Sequence, residues 1–129
     1  MAKILVADDE VDVGMIVSER LRRGGHEVVW AADGNIAVKM LEEFYFDLAI
    51  LDIRMPGRDG YAVCAWIRNS PVHKLMPILL MSAFFEENTK WEKSGANIFL
   101  PKPFEGLHLL EVVQQLLGQA PPRETSEKA

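Results

Sequence analysis

Asp8, Asp9 and Asp52 each stand at the end of an apolar run, where a folded sheet would gather their carboxylates. Ile4-Leu5-Val6-Ala7 leads into Asp8-Asp9, and Leu48-Ala49-Ile50-Leu51 leads into Asp52. Apolar runs of this kind read as buried strands. In an open α/β sheet, ligands bind outside the carboxyl ends of the strands. Carboxylates brought together there repel one another by ~4 kcal/mol per pair at ~4 Å and an effective dielectric near ~20. Such a cluster points to a hard cation as its ligand. Lys102 follows the apolar stretch Ile98-Phe99-Leu100 and brings a positive charge to the same rim.

The elements that must position these residues alternate between strand and helix. Strands are expected over 3–7, 27–31, 47–51, 77–81 and 97–100. Val13, Ile16, Val17 and Leu21 recur at helical spacing before the stop at Gly24-Gly25. Asp33-Gly34 marks a turn ahead of the stripe Ile36, Ala37, Met40 and Leu41. A third helix starts near Gly60 and ends at Ser70-Pro71, because the residue before proline is pushed out of the helical region. The segment 86–94 has a poor apolar stripe and is the weakest helix. A strongly apolar helix is expected over 104–118. Its leucines and valines cover a wider arc than one buried face requires, so they are either buried on two sides or Leu109, Val112 and Leu116 face a partner.

This alternation predicts an α/β fold, a flavodoxin-like three-layer sandwich with a five-stranded parallel sheet in the order 2-1-3-4-5 and five helices. Residues 1–118 are expected to form the domain. Residues 119–129 contain Pro121-Pro122 and no aliphatic residue beyond alanine, which reads as a disordered tail or linker stub.

Composition narrows the function classes. The chain has 129 residues, 49% of them hydrophobic and 26% charged, as expected of one soluble domain. A net charge of −5 argues against a general electrostatic grip on nucleic acid, and no direct nucleic-acid binding is expected. No segment approaches the ~20 apolar residues that span a bilayer, so no membrane partner is expected either. The single cysteine, Cys64, suits a reducing cytoplasm and reads as a small core residue.

Asp8-Asp9, Asp52 with its glycine-punctuated loop Ile53 to Gly60, Ser82-Ala83 and Lys102-Pro103 fall in order at four strand ends. Together with Leu5 to Glu10 and Gly25-His26-Glu27-Val28, this pattern resembles the receiver domain of bacterial two-component response regulators, in the manner of the chemotaxis regulators. The resemblance covers residues 1–118. It implies that Asp52 is the phosphoacceptor and takes a phosphoryl group from the phosphohistidine of a histidine kinase or phosphotransfer protein. It implies Mg²⁺ as cofactor, held by Asp8, Asp9, Asp52 and the backbone carbonyl of Arg54. Lys102 and Ser82 would bind phosphoryl oxygens, Ser82 and Phe99 would act as the switch, and the Lys102–Pro103 bond would be cis. The resemblance further implies a phosphorelay signalling protein rather than a turnover enzyme. Its output would go to a downstream partner, to an effector domain missing from this chain, or to a homodimer.

Each position also has a plainer reading. Asp8-Asp9 suits a helix amino terminus, Asp52 a turn, Ser82 a cap, Lys102 a solvated surface and Phe99 a plain core. Found together at four strand ends, they favour the receiver. A phosphatase of the haloacid dehalogenase type needs an acid two residues after its nucleophile, where this chain has Arg54. A flavodoxin relative needs a hydroxyl- or glycine-rich phosphate loop, where this chain has Asp8-Asp9-Glu10. The remaining alternative is a non-phosphorylated pseudo-receiver acting as a protein-interaction module. Phe84-Phe85 is bulky where the family is commonly small or polar, and Phe84 is expected to slow loss of the phosphoryl group by hindering water.

Overall fold

A computed structural model of the chain describes residues 2–83 and 90–119. Strands β1 (Lys3–Ala7), β2 (Glu27–Ala31), β3 (Leu48–Asp52), β4 (Ile78–Ser82) and β5 (Ile98–Pro101) form one sheet in the order β2-β1-β3-β4-β5. Every neighbouring pair is parallel. The helices are α1 (Val11–Arg23), α2 (Gly34–Glu43), α3 (Gly60–Asn69) and α4 (Gly106–Gln119).

The period of two along each strand divides the core into two halves. Leu5 and Ala7, Ala49 and Leu51, and Ile78 and Leu80 face one side, where Ala37, Val38 and Leu41 of α2 and Val63, Cys64 and Ile67 of α3 cover them. Ile4 and Val6, Leu48 and Ile50, and Leu79 and Met81 face the other, against Val17 and Leu21 of α1 and Leu109, Val113 and Leu116 of α4. With both faces covered, β3 and β4 are buried at every residue, which is why their sequences read as unbroken apolar runs.

Helix boundaries follow local chemistry. The Asp33 carboxylate accepts from the Ile36 N–H and the Asp59 carboxylate from the Ala62 N–H, each at 2.8 Å, capping α2 and α3. α1 ends where Gly25 takes φ +93°, a left-handed conformation that costs other residues a steric penalty.

Several expectations need correction. The last three strands each begin one residue later than expected, and Pro77 precedes β4, its carbonyl accepting from the Ala49 N–H at 3.1 Å. Four α-helices rather than five occur among the described residues. Of the expected helix over 86–94, residues 86–89 lie outside the described residues, as does Phe84; the described part holds Lys90 in α-helical conformation followed by a turn of 3-10 helix at Trp91–Lys93. Of the two readings of the last helix, burial on two sides holds: Leu109, Val112 and Leu116 are all buried in the chain's own core, while Leu107 is 72% exposed. Of the expected tail, residue 119 ends α4 and 120–129 lie outside the described residues.

Opposite the strands' carboxyl ends, Arg68 of α3 ties three segments together. Its guanidinium donates to the carbonyls of Gly95 (2.8 Å), Lys74 (2.9 Å) and Met76 (2.6 Å) and to Asn97 Oδ1 (2.9 Å). Asn97 Oδ1 also accepts from the Ile78 N–H at 2.8 Å, so the network fixes where β4 and β5 start. Arg68→Met is expected to cost ~1–3 kcal/mol in urea unfolding, the range for losing several hydrogen bonds to a charged donor. Arg68→Lys should recover less than half, because one ammonium cannot span the four acceptors. An unchanged midpoint in Arg68→Met would show that water replaces the guanidinium without loss.

Candidate functional site

The register carries Asp8, Asp52 and Lys102 to one place. Ala7 lies opposite Leu51, Asp52 opposite Met81, and Ser82 opposite Pro101, so the residues that end β1, β3, β4 and β5 share one edge. Asp8 and Asp52 are both buried, at 0% and 4% exposure, and Ser82 is buried beside them at 1%. The Lys102 N–H donates to the Ser82 carbonyl at 2.9 Å, fixing the start of the loop after β5. The Lys102–Pro103 bond is cis, as the family resemblance implied.

The Lys102 ammonium lies among three carboxylates. Its Nζ is 3.1 Å from Asp8 Oδ2, 3.3 Å from Glu10 Oε1 and 3.4 Å from Asp52 Oδ1. Burial works against the charged lysine, but Asp52 and then Asp8 outweigh it and hold its pKa above the usual value. The Asp52 carboxyl is pushed up from its ordinary 3.8 to about 7. Burial is the main cause; Lys102 opposes it, and the charges of Asp8 and Asp9 add to it.

The loop after β3 is pinned close to Asp52. The Gly60 N–H donates to the Ile53 carbonyl at 2.8 Å, and a Cβ on Gly60 would lie 2.6 Å from the Asp52 carbonyl oxygen. Only glycine lets α3 start so near the strand end. Arg54 stands in this loop, two residues past Asp52, with its side chain exposed.

The carboxylates that converge are not wholly those expected as ligands. Oxygens of Asp8, Glu10 and Asp52 lie within 4.8 Å of one another. Asp9 is exposed and reaches Asp52 as a charge at a distance. The chain is extended at Glu10 (φ −84°, ψ 110°), so Glu10 projects on the same side as Asp8. That alternation was the available signal for Glu10. The spacing of these oxygens suits a small octahedral cation, whose ligand oxygens lie ~3–4 Å apart. The lysine ammonium already marks the position as one that takes positive charge.

The remaining expected switch residue is Phe99 on β5. Its ring is half-buried against the α2–α3 side of the core and stacks on Trp91, with centroids 6.3 Å apart and planes 16° apart.

Residues 4–114 match the family model described as the response regulator receiver domain. The chain belongs to that family. Such domains are the phosphoacceptor modules of two-component signalling. The chain is 36% identical over 126 residues to the response regulator protein FleR of Pseudomonas aeruginosa, covering 95% of this chain and 26% of FleR. It is 38% identical over 116 residues to the transcriptional regulatory protein YrkP of Bacillus subtilis, covering 87% of this chain and 48% of YrkP. This receiver chain therefore spans between a quarter and a half of those relatives. Among solved structures it resembles the chemotaxis response regulator CheY4 of Vibrio cholerae, with TM-score 0.84, 33% identity and 90% and 98% of the two chains covered. It also resembles the receiver domain of a signal transduction histidine kinase from Syntrophus aciditrophicus, with TM-score 0.89, 27% identity and 97% and 96% covered.

The raised Asp52 pKa has a consequence for stability. Between pH 3.8 and about 7 the folded chain keeps a proton on Asp52 that the unfolded chain releases. Its contribution is thus fully present below pH ~4 and is lost as pH rises to ~7. In metal-free buffer at pH 8, Asp52→Asn is expected to exceed the native chain in stability by on the order of 2–4 kcal/mol. The advantage should shrink below pH 5, where Asp52 is neutral. Parallel urea-unfolding profiles for the two proteins from pH 4 to 8 would refute the shift.

Proposed function

We propose that this receiver accepts a phosphoryl group on Asp52, from the phosphohistidine of a histidine kinase or phosphotransfer protein, with Mg²⁺ as cofactor. The observation that carries the reading is a lone ammonium, that of Lys102, held within 3.4 Å of two buried carboxylates, Asp8 and Asp52. A buried acid pair with a cation held between its members suits a site that must manage the charge of a phosphoryl group. An Asp52 carboxylate oxygen attacks phosphorus and forms the acyl phosphate. The P–N bond of the donor breaks, and the imidazole leaves as the neutral ring with the proton of its other nitrogen. Asp8 and Asp52 hold the metal with Glu10 or Asp9 and the Arg54 carbonyl. When bound, Mg²⁺ neutralises charge on the phosphoryl oxygens. Lys102 pairs with one of those oxygens as a point charge, and Ser82 donates its hydroxyl to another.

In this reading the chain is a switch rather than a turnover enzyme, and it acts in the cytoplasm. Among the described residues no helix is long and apolar enough to cross a membrane. FleR and YrkP, regulators longer than this chain, favour an effector domain as the output, with a separate partner protein as the other route. In this reading the receiver domain runs to the end of α4 at Gln119.

Intact mass after incubation with acetyl phosphate tests the reading directly. One Mg²⁺-dependent phosphoryl adduct is expected, lost in Asp52→Ala and slowed at least ~10-fold in Lys102→Ala. A folded chain that binds Mg²⁺ yet takes no phosphoryl group from acetyl phosphate or from a histidine kinase would be a pseudo-receiver.

The switch makes a separate prediction. Phe99→Ala is expected to weaken partner binding while leaving the rate of phosphorylation within ~2-fold, because the ring packs against Trp91 and touches no site carboxylate. Equal loss of both would count against a switch role.

A further inference from the structure

Trp30, at the end of β2, reaches across to the acidic turn. Its indole N–H donates to the backbone carbonyl of Asp8 at 2.9 Å. The Asp8 N–H is taken by the neighbouring Ala31 carbonyl at 3.1 Å. Both backbone groups of Asp8 are therefore anchored to the last two residues of β2. The carbonyl has no helical partner, since the first carbonyl used by α1 is that of Glu10, which accepts from the Gly14 N–H at 2.9 Å. Without the indole it would be an unpaired acceptor beside a fully buried carboxylate.

The place for the indole is made by Gly14. A Cβ there would lie 2.5 Å from Trp30 Nε1 and 2.7 Å from Cε2, closer than side-chain carbons approach. Glycine in the first half of a helix costs roughly 1 kcal/mol against alanine. Trp30 and Gly14 thus make one device: a gap in α1 and a donor that fills it.

We infer that Trp30 is a positioning residue for the acidic site, acting through the backbone of Asp8, and that Gly14 serves to admit it. Asp8 uses one oxygen to accept from the Glu10 N–H (2.9 Å) and the other to hold Lys102 (3.1 Å). Fixing its backbone therefore fixes three of the groups that meet at the site. The inference rests on the receiver reading only where it concerns Mg²⁺ and phosphorylation.

Two replacements remove the donor. Trp30→Phe keeps an aromatic ring, and benzothienylalanine at position 30 keeps the indole shape with sulfur in place of N–H, which guards against simple misfolding. In both, the Glu10 amide is expected to exchange with solvent roughly 3–10 times faster, the range of one hydrogen bond's net worth. Core amides such as that of Leu51 should be unchanged. Mg²⁺ affinity by calorimetry should fall over the same range. Gly14→Ala should give the same defect by displacing the indole, and should add nothing to Trp30→Phe. Unchanged Glu10 exchange and unchanged Mg²⁺ affinity in a folded benzothienylalanine variant would overturn the inference and leave Trp30 as packing. Faster Glu10 exchange in a chain whose native form neither binds Mg²⁺ nor accepts phosphoryl would support the positioning role and overturn the receiver function instead.

Discussion

Everything at the carboxyl edge of the sheet depends on one ammonium balancing several carboxylates, two of them buried. Asp8 and Asp52 could not both be buried and charged at this distance without a neighbouring cation. Lys102 supplies it, from 94 residues downstream of Asp8. The parallel sheet is what closes that separation. A slip of one residue in any strand pair would turn Asp52 or its neighbours to the opposite face. The unbroken burial of β3 and β4 guards against such a slip, because each register places apolar side chains against both helix layers.

The same balance sets the reactivity of Asp52. A carboxylate must be ionised to attack phosphorus, yet burial pushes this one up to about 7. Lys102 pulls it down but is shared with Asp8 and Glu10. Near neutral pH Asp52 is therefore only partly charged, and any further cation in the cleft favours its ionised form.

Much of this was legible in the sequence. Apolar runs ending in Asp8, Asp52 and Lys102 located the strands within one residue and predicted their order. Gly60 marked the start of α3, and the structure adds the capping Asp59 carboxylate and the crowded backbone that fix it there. What escaped was set by side-chain direction and by packing across long separations. Glu10 joins the cluster because the chain stays extended through it, a dihedral fact rather than a compositional one. The arc of Leu109, Val112 and Leu116 left burial and a partner face both open, and only the packing of α4 on the second side of the sheet decides for burial. Trp30 carries no signal of its own within β2; its contact with Gly14 and the Asp8 carbonyl is visible only in the folded chain.

The two ends of the sheet are secured in different ways, and the difference has a physical reason. Opposite the site, Arg68 spans carbonyls and Asn97, the Lys3 N–H meets Asp47 at 2.8 Å, and His73 Nε2 lies 2.7 Å from the Leu41 carbonyl. All but the Arg68–Asn97 bond join main chain to side chain, and they tie neighbouring segments of the chain to one another. At the site end the side chains are committed to one another's charge and so must stay free to respond to a ligand. Much of their anchoring falls to backbone groups: the Lys102 N–H donates to the Ser82 carbonyl and the Gly60 N–H to the Ile53 carbonyl, while the Asp8 carbonyl accepts from the Trp30 indole. A receiver built this way can carry a destabilising charge cluster because main-chain bonds hold the frame in which the charges can rearrange.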